Sequence, residues 1–115
     1  SLSAANSFRS GYAELQQGFL PTLRNVGESV ARAGGQVQVS GHTDNIPIAF
    51  SERFDSNWDL SAARAAAVAD FFFDTNDLDS ERVSVFGYAD TKPVADNESP
   101  SGRAQNRRIE ILIDG

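Results

Sequence analysis

Arg64 makes the strongest demand for a partner in this sequence. It lies four residues after Leu60 and four before Val68, so all three fall on one stripe of a predicted helix. A guanidinium on a packed face is costly unless an anion meets it, because stripping water from the cation is expensive. The best placed anion is Asp44, just past a predicted strand over 36–41, where strand-end loops and helix starts can meet. Two readings stay open. Asp44 and Arg64 form a supporting salt bridge, as ion-pair networks often do. Or they share a zwitterionic ligand, Arg64 gripping a carboxylate through its bidentate fork while Asp44 accepts from an ammonium.

Other reactive combinations are weaker. His42 and Asp44 form an H-x-D pair, but a metal site needs about three or four protein ligands and the chain has a single His. A His packed at a strand end and bonded locally is the better expectation. There is no Cys, and His42 has no evident Ser partner, so nucleophilic catalysis is poorly supported. Asn57 reads as a cap or turn residue before the second helix. Arg107 and Arg108 start a strand on opposite faces, so at most one can enter a shared pocket. Phe54 and Trp58 read as core or loop anchors rather than ligand platforms.

Composition narrows the classes. The 115 residues are 40% hydrophobic, include eight Phe and carry a net charge of −6, which suits one globular domain over 1–115. The acidic balance argues against a nucleic-acid partner, since such proteins gain affinity from phosphate contacts on a basic face. No apolar run approaches the roughly 18 residues that span a bilayer. The chain begins at Ser1 rather than Met, which reads as a processed or excised piece, so that any targeting or membrane segment would lie upstream.

The elements that must position these side chains can be read from periodicity. Residues 1–7 are expected to fray before a short strand near Phe8. Gln17 to Pro21 opens a first helix, with Pro21 in its first turn, a stripe of Leu20, Leu23, Val26 and Val30, and a stop at Gly34-Gly35. Gln36 to Gly41 alternates as a half-buried strand, and 42–56 is a long loop. A second helix over about 58–73 is carried by Leu60, Ala63, Ala67, Val68 and Phe71, in an Ala-rich setting that favours helix. Strands follow over 82–87 and 108–114, separated by a loop over 89–105 that ends in one helical turn. The order βαβαββ predicts an α+β two-layer sandwich with a mixed sheet and two main helices.

Several segments carry a family resemblance. Gly41-His42-Thr43-Asp44 is followed by Asn57-Trp58-Asp59-Leu60-Ser61-Ala62-Ala63-Arg64-Ala65 and on to Val68. Gly87-Tyr88-Ala89-Asp90 and Gly102-Arg103-Ala104-Gln105-Asn106-Arg107-Arg108-Ile109-Glu110 come later. In order and over nearly the whole chain, these resemble the G-H-T-D, N-x-x-L-S-x-x-R-A-x-x-V, G-x-A-D and N-R-R-x-E blocks of OmpA-like peptidoglycan-binding domains. Twelve residues separate Asp44 from Asn57. The G-H-T-D-x-x-P-I start and S-N-W-x-L-S finish of that stretch are similar to the MotB branch, the periplasmic domains of proton- or sodium-driven flagellar stators.

The resemblance implies non-covalent binding of the peptidoglycan peptide stem through its diaminopimelate, with no catalysis and no cofactor or metal. Asp44 and Arg64 would carry recognition, joined by Thr43, Asn57 and Arg107, and backbone groups around Ser10 and Gly11 would close the pocket. It also implies a periplasmic domain of an inner-membrane protein, joined through its upstream segment to a stator partner. Each charge-assisted contact is worth roughly 1.5–3 kcal/mol, so firm anchoring calls for a homodimer and its avidity. The alternatives are an outer-membrane or lipoprotein anchor without a motor role, a wall hydrolase, or a structural module in which Asp44 and Arg64 merely pair.

Overall fold

The computed structural model describes residues 2–8, 12–48 and 54–114. In chain order these form β1 (Leu2–Ser3), α1 (Ala4–Ser7), a 3-10 turn (Gln17–Phe19), α2 (Leu20–Ala33), β2 (Gln36–His42) and α3 (Asn57–Thr75). A second 3-10 turn (Ser80–Arg82) then leads to β3 (Val83–Gly87), α4 (Pro100–Asn106) and β4 (Arg108–Asp114). The sheet order is β1-β4-β2-β3. β2 runs parallel to β3 and antiparallel to β4, so the sheet is mixed, as the weak helical pattern before β4 predicts.

β2 is one of the two inner strands, between β4 and β3. Val37 and Val39 are fully buried, and the register sets them beside Val83 and Val85 on one side and Ile113 and Ile111 on the other. Opposite residues share a face, and of this face Val37, Val39, Val83 and Ile111 pack in or against the core under the helices, while Ile113 at the end of β4 stays exposed. The core gathers Val37, Val39 and Ile109 with Leu23 and Val30 of α2 and Val68 and Phe72 of α3. β3 is an edge strand, and Val85 is accordingly exposed rather than covered.

α3 crosses very close to the sheet. A Cβ on Gly41 would lie 2.1 Å from the Ser61 carbonyl oxygen, and one on Gly87 would lie 2.7 Å from the Ala62 nitrogen. Only glycine permits this approach, and it brings the first turns of α3 against the ends of β2 and β3. The buried stripe is therefore Leu60, Ser61, Arg64, Ala65, Val68, Ala69 and Phe72. Ala63, Ala67 and Phe71, expected in that stripe, are only partly buried. A run of alanines carries little periodicity, so the inward face of α3 is set by the glycine contacts.

Three other expectations change. Residues 2–7 do not fray: Leu2 and Ser3 pair with Ile109 and Arg108, the Ala4 nitrogen donates to the Arg107 carbonyl at 3.0 Å, and Phe8 is buried. Ser56, not Asn57, caps α3, its side chain accepting from the Trp58 nitrogen at 3.2 Å. The loop over 89–105 ends in a seven-residue helix, α4, rather than one turn. Ser99 caps it by accepting from the Gly102 nitrogen at 3.0 Å, and Pro100 occupies its first turn. Ser, Pro and Gly are helix-start chemistry here but loop composition when read singly.

Candidate functional site

The candidate residues gather at the end of the sheet where β2 finishes and β4 begins. The antiparallel register pairs His42 with Arg108, so the residues just after β2 lie beside those just before β4. The Thr43 nitrogen donates to the Ala89 carbonyl at 2.8 Å and the Tyr88 nitrogen to the Gly41 carbonyl at 3.0 Å. The Ala89 nitrogen donates in turn to Ser61 Oγ at 3.1 Å. These bonds lock the ends of β2 and β3 to the first turns of α3.

Thr43 and Asp44 are both buried. Thr43 Oγ1 donates to the Asp44 carbonyl at 2.8 Å. The Asp44 carboxylate accepts from the Ile46 nitrogen at 3.1 Å through Oδ1, a turn typical of Asp. Its Oδ2 accepts from Arg107 Nη1 at 2.6 Å. Among the described residues the ion partner of Asp44 is thus Arg107, and the supporting Asp44–Arg64 salt bridge gives way to this pair. Arg107 caps the end of α4, and its guanidinium reaches Asp44 because the chain leaving α4 enters β4 beside the end of β2.

Arg64 is buried at 6% exposure and held from the N-terminal segment. Its Nε donates to the Tyr12 carbonyl at 2.9 Å, and its guanidinium carbon stands 5.1 Å from the centre of the Phe8 ring. Tyr12 and Phe8 flank the stretch that holds Ser10 and Gly11, which lie outside the described residues. Burial, and then the nearby positive charge of Arg107, lower the Arg64 pKa to about 10. It remains cationic at neutral pH, in a place where both influences disfavour the cation.

Asn57 opens α3, and its Nδ2 donates to the Ile46 carbonyl at 3.0 Å. Its role is therefore to tie the Asp44 loop to the helix. Trp58, expected as an anchor, is instead 53% exposed. Arg107 and Arg108 diverge as strand alternation predicts. Arg108 bonds the Asn106 and Lys92 carbonyls at 3.0 and 2.9 Å and approaches Glu110 Oε2 at 3.3 Å.

His42 pairs with Glu110 rather than with Asp44. Its Nε2 lies 3.0 Å from Glu110 Oε2 and 3.1 Å from Ser40 Oγ, and its ring stacks on Tyr88 at 5.3 Å. Burial, assisted by the charge of Arg108, lowers its pKa below 6.5. A carboxylate only accepts, so the neutral ring carries its proton on Nε2.

Asn106 is the positioning residue that sequence reasoning missed. It is fully buried and its amide binds four groups. Oδ1 accepts from the Val94 and Ala95 nitrogens at 2.7 and 2.9 Å, and Nδ2 donates to the Ala95 carbonyl and Asn97 Oδ1 at 3.0 and 2.7 Å. It pins the long loop to the end of α4, one residue before Arg107. The only signal in the sequence is its place at the head of the N-R-R block.

A family model described as OmpA family matches residues 7–107. Motility protein B of Bacillus subtilis (strain 168) is 39% identical over 107 residues, 92% of this chain and 41% of that protein. The uncharacterized protein YtxE of the same organism is 39% identical over 112 residues, 97% of this chain and 46% of that protein. The chain thus spans less than half the length of these relatives. Among solved structures, the cell wall anchor of the T6SS from Pseudomonas aeruginosa aligns with a TM-score of 0.90 at 43% identity, over 96% of this chain and 76% of that one. A periplasmic domain of Helicobacter pylori MotB aligns with a TM-score of 0.86 at 24% identity, over 99% of this chain and 81% of that one; that likeness is one of fold.

Proposed function

Because the chain belongs to the OmpA family, we propose that it binds the peptide stem of peptidoglycan without turnover and anchors a MotB-type stator to the cell wall. The observation that carries this reading is a buried Arg64 on the helix to which Asn57 ties the Asp44 loop, with Asp44 itself paired to Arg107. Two cations and one carboxylate side by side form a receptor for a group bearing both carboxylate and ammonium. Diaminopimelate in the peptide stem is such a group. An entering carboxylate would meet the Arg64 guanidinium, while Asp44 would accept from the ammonium. Thr43 and Asn57 shape the loop that presents Asp44, and Ser10 and Gly11 remain proposed as the closing backbone.

Such contacts give modest affinity per domain. Firm retention then rests on a homodimer, with a membrane-embedded stator partner joined through sequence beyond this chain and the domain itself in the periplasm. A second reading is favoured by the 43% identity to the secretion-system wall anchor: the same stem-binding site would hold a different envelope machine to the wall. An outer-membrane anchor shares the site chemistry too. Restoring swimming to a stator-deficient strain with the full-length protein separates the motor role from both.

Sedimentation with purified sacculi tests the binding itself, comparing the parent with folded Asp44→Asn and Arg64→Ala variants. The parent is expected in the pellet and both variants in the supernatant. A parent that stays in solution, or folded variants that pellet as well as it does, would overturn the reading.

A further inference from the structure

His42 is the only histidine in the chain. It is the last residue of β2, and its side chain is 1% exposed. Its partner across the antiparallel register is Arg108. Asp44 follows His42 by two residues, and Arg107 directly precedes Arg108. Both halves of the Asp44–Arg107 pair therefore extend from one rung, His42–Arg108, at the end of the sheet. A change in that rung reaches the pair through one or two backbone residues on each strand.

The groups around the ring come from three directions. Glu110 and Arg108 approach from β4, Ser40 from β2 itself, and Tyr88 and Lys92 from the chain that follows β3. One carboxylate oxygen, Glu110 Oε2, serves both His42 Nε2 at 3.0 Å and Arg108 Nη2 at 3.3 Å. With Nε2 carrying the proton of the neutral ring, Nδ1 is a buried nitrogen with no hydrogen-bond partner among the described residues. A second proton goes onto Nδ1 and creates a buried donor that faces no acceptor, which is costly. It also sets the cations His42, Arg108 and Lys92 against the Glu110 carboxylate, whose one oxygen His42 and Arg108 already share.

We propose that His42 is a positioning residue whose protonation loosens the His42–Arg108 rung and weakens stem binding at Asp44, so that the domain holds its ligand more firmly at neutral than at acidic pH. The inference rests on the stem-binding reading and adds a regulation of the same site. Coupling between two sites is reciprocal. A stem peptide that prefers the neutral ring must therefore make that ring harder to protonate. The sign follows from the surroundings of the ring. Burial, and then Arg108, hold the ring of the free folded chain below 6.5. Full affinity is present above that value and is lost as pH falls through the folded pKa. Glu110 is the solvent side of the cluster, its side chain 36% exposed, and gives the buried ring a route to protons outside.

Because His42 is the sole histidine, its ring resonances report its titration without overlap. The untagged chain is titrated by NMR, alone and saturated with a soluble diaminopimelate-containing tripeptide. Calorimetry then gives the affinity for that peptide near neutral and near pH 5, for the parent and for His42→Gln. The variant keeps a donor toward Glu110 but cannot take up a proton. On acidification the parent is expected to lose about fivefold more affinity than the variant, the lower end of coupling between sites. The same coupling lowers the His42 pKa by about 0.7 when the peptide is bound. Asp44 and the peptide's own carboxylates titrate in both proteins, so the difference isolates the ring. An unchanged or raised His42 pKa on binding, or equal pH dependence in parent and variant, would overturn the proposal while the stem-binding reading stands. Should His42→Gln fail to fold, the NMR comparison on the parent decides alone. A peptide that binds at neither pH removes the stem-binding reading, and the proposal falls with it.

Discussion

Arg107 Nη1 donates to Asp44 Oδ2 at 2.6 Å across a sequence separation of 63 residues. The Asp44 side chain is 9% exposed and that of Arg107 37%, so the pair is closed on the carboxylate side and open on the guanidinium side. Truncating Arg107 would leave a buried carboxylate with one fewer donor. Arg107→Ala is therefore expected to destabilise the fold by about 1–2 kcal/mol, the lower part of the range for orphaning a buried charged group, because solvent reaches the pair. In a double-mutant cycle with Asp44→Asn, urea denaturation should show the two losses to be less than additive. Additive losses would mean that the contact contributes nothing to stability.

Asn106 should be more sensitive than any charged residue of the site. Asn106→Ala removes four hydrogen bonds and leaves the Val94 and Ala95 nitrogens without their acceptor. A loss of about 3 kcal/mol is expected, and Asn106→Asp, which keeps the acceptor for those nitrogens but sets a buried carboxylate oxygen against the Ala95 carbonyl and Asn97 Oδ1, should lose at least as much. Hydrogen exchange checks the mechanism: protection should fall over residues 92–99 before it falls in β2.

Gly41 and Gly87 set the distance between α3 and the sheet. Gly41→Ala places a methyl against a backbone carbonyl that cannot rotate away. A cost of about 3 kcal/mol is expected, visible as a lower denaturation midpoint with an unchanged slope. Sacculus binding should fall as well, because displacing the start of α3 moves Arg64 relative to Asp44. A variant of parental stability would show that the helix can ride higher without loss.

His42 predicts a pH dependence with a definite sign. Burial and Arg108 hold its folded pKa below 6.5, so between those two values the unfolded chain binds more protons than the folded one. Stability contributed by the neutral ring is therefore present above about pH 6.5 and declines as pH falls toward the folded value. The groups facing the ring are Glu110, Arg108 and Lys92, with Tyr88 stacked on it. Because carboxylates also titrate on acidification, the check is the difference between the parent and His42→Gln. Parallel stability profiles from pH 7.5 to 5 would refute the assignment.

The sequence by itself determined the parts of this protein that depend on local period and composition. The stripe of α2, the alternation of β2 and β4 and the mixed α+β architecture follow from 3.6-residue and two-residue repeats of apolar side chains. Arg64 stood out because its place between Leu60 and Val68 forces a cation onto a packed face. Tertiary structure alone decided which partners those residues meet. The His42–Arg108 register brings the chain after β2 beside the chain before β4, which gives Asp44 to Arg107, while Arg64 meets the Tyr12 carbonyl and the Phe8 ring. The pairing of His42 with Glu110 and the enclosure of Asn106 arise in the same way. Helical and strand periods fix which face a side chain takes, but a contact between residues far apart in the chain depends on sheet order and register, and these are settled by packing of the whole core.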